Sequence, residues 1–176
     1  MDPVTIANEA TLIYDNITKN SNAVVTRILS LYDLTATKEA LLDSYTPGQT
    51  ITYITRVENT GSASLYNLTI VDDLANSTLQ YIDTSIEGYL NGSPIEVDVQ
   101  KTANTVTFKI DNVLNPNDNV LIIFETTTPT TNPEQITNTQ TITANGGSTT
   151  GPIVTAKPNP NATVTLANYV TLDITK

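Results

Sequence analysis

A lysine, an aspartate and an asparagine far apart in the chain are the residues whose types could do chemistry together. Lys38 sits in Leu34-Thr35-Ala36-Thr37-Lys38-Glu39-Ala40, Asp72 follows Tyr66, Leu68 and Ile70, and Asn138 lies between Ile136 and Ile142. Each is embedded in alternating apolar and polar residues. Side chains two apart in a strand share a face. Lys38 is thus grouped with Leu34, Ala36 and Ala40, Asp72 with Tyr66, Leu68 and Ile70, and Asn138 with Ile136, Gln140 and Ile142. All three polar groups fall on core-facing positions of separate strands, where an unpaired charge is very costly. Burial lowers a lysine pKa and leaves a neutral amine able to attack. Attack on the Asn138 carboxamide, with Asp72 donating a proton to its oxygen, expels ammonia and leaves a Lys38–Asn138 amide. Lys38, Asp72 and Asn138 are therefore candidates for an autocatalytic isopeptide cross-link. The non-covalent alternatives are a buried Lys38–Asp72 ion pair with Asn138 hydrogen-bonded nearby, or edge positions that reach water. Glu58 and Glu125 are rival acids, although Glu58 falls on the face opposite Ile51, Tyr53 and Val57. Asp73 points away from Asp72, so these two carboxylates do not converge on one substrate.

The elements that must position these groups are short alternating segments with turn chemistry about every ten residues, the spacing of a β-sandwich. Strand-like segments are expected at 4–14, 23–31, 34–42, 50–58, 65–72, 79–82, 86–90, 95–99, 105–110, 120–127, 136–144, 153–156 and 162–175. Residues 15–22 read as polar, and Asn91-Gly92 is a strong hairpin signal. Threonine occurs 33 times and asparagine 19 times, and no stretch sustains capped helical periodicity. The expected class is all-β: an immunoglobulin-like β-sandwich over residues 34–145, with strand extensions at 1–33 and 146–176.

Composition excludes several function classes. The chain has no cysteine, histidine or tryptophan, which removes thiol nucleophiles, disulfides, CxxC zinc sites and triads with an imidazole base. A net charge of −10 with eight scattered basic residues argues against nucleic acid or an anionic membrane as partner. No apolar run approaches the ~20 residues of a membrane span. The first residues lack the basic and apolar regions of a secretory signal. Asp111-Asn112 and residues 115–119 lack the spacing of a calcium loop and read as turns. No cofactor, no metal and no enzymatic activity on an external substrate are expected.

The two ends of the chain echo its middle. Ile6-Ala7-Asn8-Glu9-Ala10-Thr11-Leu12 aligns with Ile136-Thr137-Asn138-Thr139-Gln140-Thr141-Ile142, and Leu34-Thr35-Ala36-Thr37-Lys38 aligns with Leu172-Asp173-Ile174-Thr175-Lys176. The offsets, 130 (138 − 8) and 138 (176 − 38), are near a whole domain and suggest beads on a string. Asn8 and Lys176 then become candidates for an intermolecular cross-link or for strand donation to a neighbouring subunit. The alternative is a hairpin folded against its own domain in a monomer.

Several motifs carry a family resemblance. Lys38, Tyr45-Thr46-Pro47-Gly48-Gln49-Thr50-Ile51-Thr52-Tyr53, Val57-Glu58-Asn59-Thr60-Gly61, Leu65-Tyr66-Asn67-Leu68-Thr69-Ile70-Val71-Asp72-Asp73-Leu74 and Leu79-Gln80-Tyr81-Ile82 come in this order. Ile110-Asp111-Asn112-Val113-Leu114, Asn115-Pro116-Asn117-Asp118 and Ile136-Thr137-Asn138-Thr139 complete the set. Together they resemble the bacterial conserved-repeat surface domain called domain of unknown function eleven, an Ig-like module of bacterial and archaeal surface proteins. Asn117 stands where that family usually has Gly, and Asn tolerates the same backbone region. The flanking segments resemble those of leaderless repeat proteins of spore-forming Firmicutes. The resemblance implies a structural subunit of a surface fibre, spore appendage or surface layer, at the cell or spore surface, with copies of itself or related repeats as partners. It also implies no enzyme activity. The cross-link proposed for Lys38 and Asn138 is of the kind found in Ig-like pilin and adhesin domains. The alternative function is a monomeric Ig-like stalk or adhesion module binding a glycan or host protein. Both phenylalanines, Phe108 and Phe124, fall in expected strands, which disfavours an exposed stacking platform.

Overall fold

A computed structural model describes residues 4–28, 31–75, 77–131 and 133–167. The chain divides into two compact units, residues 1–31 and residues 32–176.

The first unit is a two-stranded ribbon. β1 (Val4–Asn8) pairs antiparallel with β4 (Val24–Ile28), and β2 (Thr11–Tyr14) with β3 (Ile17–Asn20). The expected 4–14 segment is thus two strands, and the polar stretch 15–22 contains a third. Asp15 and Asn16 cause the reversal. Both take positive φ (47° and 59°), the tight-turn geometry that follows strand twist and that Asn and Asp tolerate.

The second unit is the expected immunoglobulin-like sandwich. Its strands in chain order are β5 (Leu34–Ala40), β6 (Ser44–Tyr45), β7 (Thr50–Asn59), β8 (Leu65–Asp73), β9 (Gln80–Tyr81), β10 (Glu87–Leu90), β11 (Ser93–Ile95), β12 (Asp98–Lys101), β13 (Thr105–Ile110), β14 (Asn119–Thr127), β15 (Gln135–Gly146), β16 (Ile153–Thr155) and β17 (Asn161–Leu166). One sheet runs β11-β10-β14-β7-β5, with β9 also on β14. The other runs β12-β13-β8-β15-β17-β6, with β16 also on β15. The single strand expected at 95–99 is two strands in different sheets, because Glu96 and Val97 carry the chain across. The two-residue β6 is too short to display a period. Residues 146–167, expected as an extension, contribute β16 and β17 to the second sheet, and residues 168–176 lie outside the described ones.

Alternation is strict where the two layers meet. In β7, Ile51, Tyr53, Thr55, Val57 and Asn59 are buried between more exposed neighbours; in β14, Val120, Ile122, Phe124 and Thr126 do the same. The facing sheet supplies Leu68, Ile70, Asp72, Phe108, Ile110, Ile142 and Val164. The Asn91-Gly92 hairpin has positive φ at both residues (50° and 80°), and Asn117 takes φ 68°, the backbone region that Asn tolerates in place of Gly. Tyr32 lies on Gly146, where an added Cβ would come within 2.6 Å of its ring. Only glycine allows that ring to pack there.

Candidate functional site

Two of the sequence candidates, Lys38 and Asp72, meet between the sheets, and the third, Asn138, is buried in the same core. Lys38 enters from β5, the edge strand of the first sheet, and Asp72 from β8 in the second. Both side chains are 0% exposed, and the Lys38 Nζ donates to Asp72 Oδ2 at 2.5 Å. Asn138, on β15 beside β8, is also fully buried. Gln140 stands directly opposite Asp72 in the strand register, so Asn138 is the next inward-facing residue along the same strand.

Two further residues close a ring across the sheets. Gln140 Nε2 donates to Asp72 Oδ2 at 2.8 Å, and Thr55 Oγ1 donates to Gln140 Oε1 at 2.8 Å. Thr55 stands opposite Lys38 in the β5–β7 register. The circuit Lys38–Asp72–Gln140–Thr55 thus joins one sheet to the other twice. The sequence groups Gln140 with Asn138 by period two, but its hydrogen-bond partners depend on a cross-sheet register that periodicity does not reveal.

Aromatic rings wall the lysine. Its Nζ is 4.8 Å from the Tyr53 ring centroid and 5.2 Å from that of Phe124, and these rings stack at 5.6 Å. Phe108 lies 5.0 Å from Phe124. Ring faces attract a cation but cannot replace its hydration shell. Burial accordingly pushes the Lys38 amine down to about 8, even though the Asp72 charge and hydrogen bond pull the other way. An appreciable fraction of neutral amine therefore exists at mildly alkaline pH. Burial pushes the Tyr53 phenol well above its ordinary value, Asp72 adds to the rise, and the adjacent Asn138 side chain opposes it.

The unpaired atoms concentrate in this cluster. Asp72 Oδ1, both polar atoms of the Asn138 carboxamide and the Tyr53 hydroxyl are buried without a hydrogen bond of proper geometry. Buried polar groups are nearly always paired, and each exception costs about 1–3 kcal/mol. Of the non-covalent alternatives, the ion pair is present, and the Asn138 side chain lies next to the Tyr53 hydroxyl. Neither partner of the pair sits at a position that reaches water.

The other candidates lie elsewhere. Glu58 and Glu125 occupy the outward face of their strands, and Glu125 contacts Thr52 at 3.4 Å. Asn8 is exposed on β1, paired opposite Val24, and Lys176 lies outside the described residues. Asp118 is committed to a turn: its Oδ2 accepts from the Asn115 N–H and its Oδ1 from Asn91 Nδ2. Among the described residues no group of three His, Cys, Asp or Glu side chains could hold a metal ion.

No family model matches the chain, and no curated protein matches it in sequence. The resemblance to the conserved-repeat family stands on its motifs. Solved structures do share the fold. The major pilin subunit of Bacillus cereus superposes with a TM-score of 0.53 at 13% identity, over 90% of this chain and 47% of that one. The full-length major pilin of Corynebacterium diphtheriae gives 0.56 at 14%, over 73% and 33%. The pilus backbone protein of Streptococcus pneumoniae gives 0.50 at 13%, over 65% and 31%. This chain therefore spans less than half of each pilin it is similar to. At such identities the likeness is one of fold, and that fold is the Ig-like β-sandwich of Gram-positive pilins.

Proposed function

We propose that this chain is a structural subunit of a bacterial surface fibre, spore appendage or surface layer, whose sandwich is clamped by a self-formed Lys38–Asn138 isopeptide bond. The observation that carries the reading is the buried amine held on Asp72, in a core that also buries the Asn138 carboxamide. Asp72 takes the proton of the lysine ammonium. The freed amine attacks the Asn138 Cγ; as the carbon–nitrogen bond of the carboxamide breaks, the departing nitrogen takes the proton that Asp72 carried and the one shed by the lysine nitrogen, and leaves as an ammonium ion. Charge and atoms balance as an ammonium and a carboxamide giving an amide and an ammonium ion.

The bond has a mechanical use in a cysteine-free chain. It joins the first strand of the sandwich to β15 and closes a loop of 100 residues (138 − 38). The chain-entropy treatment of cross-links assigns such a loop about 4.7 kcal/mol. Tension entering at β5 then passes through a covalent bond to β15 instead of peeling β5 from β7. The pilin folds named above support this role, since those proteins are themselves pilus subunits.

Assembly draws support from the ribbon. Leu12, Ile13, Tyr14, Ile17, Val24 and Val25 are all more than half exposed on an unpaired two-stranded element, a surface that invites strand addition. Head-to-tail contacts between copies would give open filaments, with Asn8 and Lys176 as the proposed joining residues. Negative-stain imaging of the purified full chain over rising concentration tests this reading. Filaments are expected; a monomer that persists at high concentration contradicts it and leaves the monomeric adhesion module.

A further inference from the structure

The Tyr53 hydroxyl has no role in the ion pair, yet it sits fully buried in the same pocket. Its ring face lies under the Lys38 Nζ at 4.8 Å, and its hydroxyl is near enough to Asn138 for that side chain to influence it. It nevertheless closes no hydrogen bond of proper geometry, and neither does either polar atom of the Asn138 carboxamide. A donor left unpaired beside an unpaired acyl group costs stability in the resting protein. Such a donor is useful where charge develops only during reaction, because its best partner is the transition-state oxygen and not the ground-state carbonyl.

We propose that Tyr53 is a catalytic residue of the cross-linking reaction, its O–H donating to the oxyanion that forms on the Asn138 side-chain oxygen. The inference rests on the isopeptide reading above. When the Lys38 nitrogen bonds to Asn138 Cγ, the carbonyl π pair moves to oxygen, and Tyr53 donates a hydrogen bond to that oxygen without giving up its proton. The pair returns as the C–N bond to the departing nitrogen breaks; that nitrogen takes the proton carried by Asp72 and the one shed by the lysine nitrogen, and leaves as an ammonium ion. Tyr53 begins and ends as a neutral phenol. One side chain thus serves both reactants: its ring lies under the amine, and its hydroxyl neighbours the Asn138 side chain.

The test uses full-length protein recovered in denaturant before it has folded, refolded by dilution, with loss of ammonia followed by intact mass. Tyr53→Phe keeps the ring and removes only the hydroxyl. The expected rate constant for ammonia loss falls about a hundredfold, the effect of removing one oxyanion donor. The same substitution is also made in an Asn138→Ala chain, which cannot cross-link. There it is expected to leave the melting temperature unchanged or higher, because the hydroxyl has no ground-state partner to lose. A Tyr53→Phe chain that cross-links at the wild-type rate overturns the inference while leaving the isopeptide reading intact. A slowing matched by a lower melting temperature in the Asn138→Ala background also overturns it, since that marks a structural role. Wild-type protein that never loses ammonia defeats the isopeptide reading itself, and this inference with it.

Discussion

Asn8 and Asn138 are the same residue in similar sequence, Ile-Ala-Asn-Glu and Ile-Thr-Asn-Thr, each in an antiparallel strand. Asn8 belongs to a ribbon one layer thick, in which Leu12 is 67% and Tyr14 77% exposed. Asn138 belongs to a sheet covered by another sheet and has no exposure at all. Water can satisfy the first carboxamide from every side. The second is dry, unpaired and shares a core with an amine whose proton is loosened by the same dryness. Alternation prepares both strands equally; the second layer is what buries one of the two carboxamides. Asn8 would gain a comparable environment only if a second layer covered β1.

The largest break in this contrast comes from removing the counter-ion of the buried amine. Asp72→Ala leaves the Lys38 ammonium facing aromatic rings with no carboxylate and no proton carrier. Made in an Asn138→Ala chain, which cannot cross-link, it is expected to cost about 3–5 kcal/mol in urea denaturation from the broken pair, and in the otherwise wild-type chain no ammonia is lost. A loss below about 1 kcal/mol, the range of a solvated pair, would mean that water reaches the amine.

The pH dependence of cross-linking is the next test. The Lys38 ammonium supplies the proton that Asp72 is to pass on, and the ammonium loses it as pH rises through about 8, the lowered value of the amine. If Asp72 must deliver that proton to the leaving nitrogen, the rate of ammonia loss is level below about pH 8 and falls about tenfold per unit above it. If Asp72 were only a counter-ion, the rate would instead rise through the same range as neutral amine accumulates.

The smallest effect is expected at the ribbon. Asn8→Ala should leave unfolding free energy within about 0.5 kcal/mol of wild type, as for other solvated surface positions, and leave ammonia loss by the monomer unchanged. A measurable drop in either would show that Asn8 is not solvated in the isolated subunit.

Much of the site was legible before any coordinates. Period two fixes the faces of Lys38, Asp72 and Asn138, and residue type says which groups can react. It also sets Glu58 and Asp73 aside, because neighbouring residues point to opposite faces. What period two does not contain is which residue stands across from which. Gln140 opposes Asp72 and Thr55 opposes Lys38 only because of the particular registers of β15 on β8 and β5 on β7. Tyr53 is readable as a core residue, but its contact with Lys38 depends on how two sheets stack. In the ribbon, the missed strand follows from Asp15-Asn16, a two-residue turn whose positive φ values are available to many other Asx pairs that do not turn.

The covalent bond between Lys38 and Asn138 is the central claim, and the intact mass of folded full-length protein tests it most directly. The account predicts a mass lighter than the sequence by one ammonia, with proteolysis yielding a branched peptide that joins the Lys38 and Asn138 segments. A folded protein whose mass equals the full sequence would contradict it.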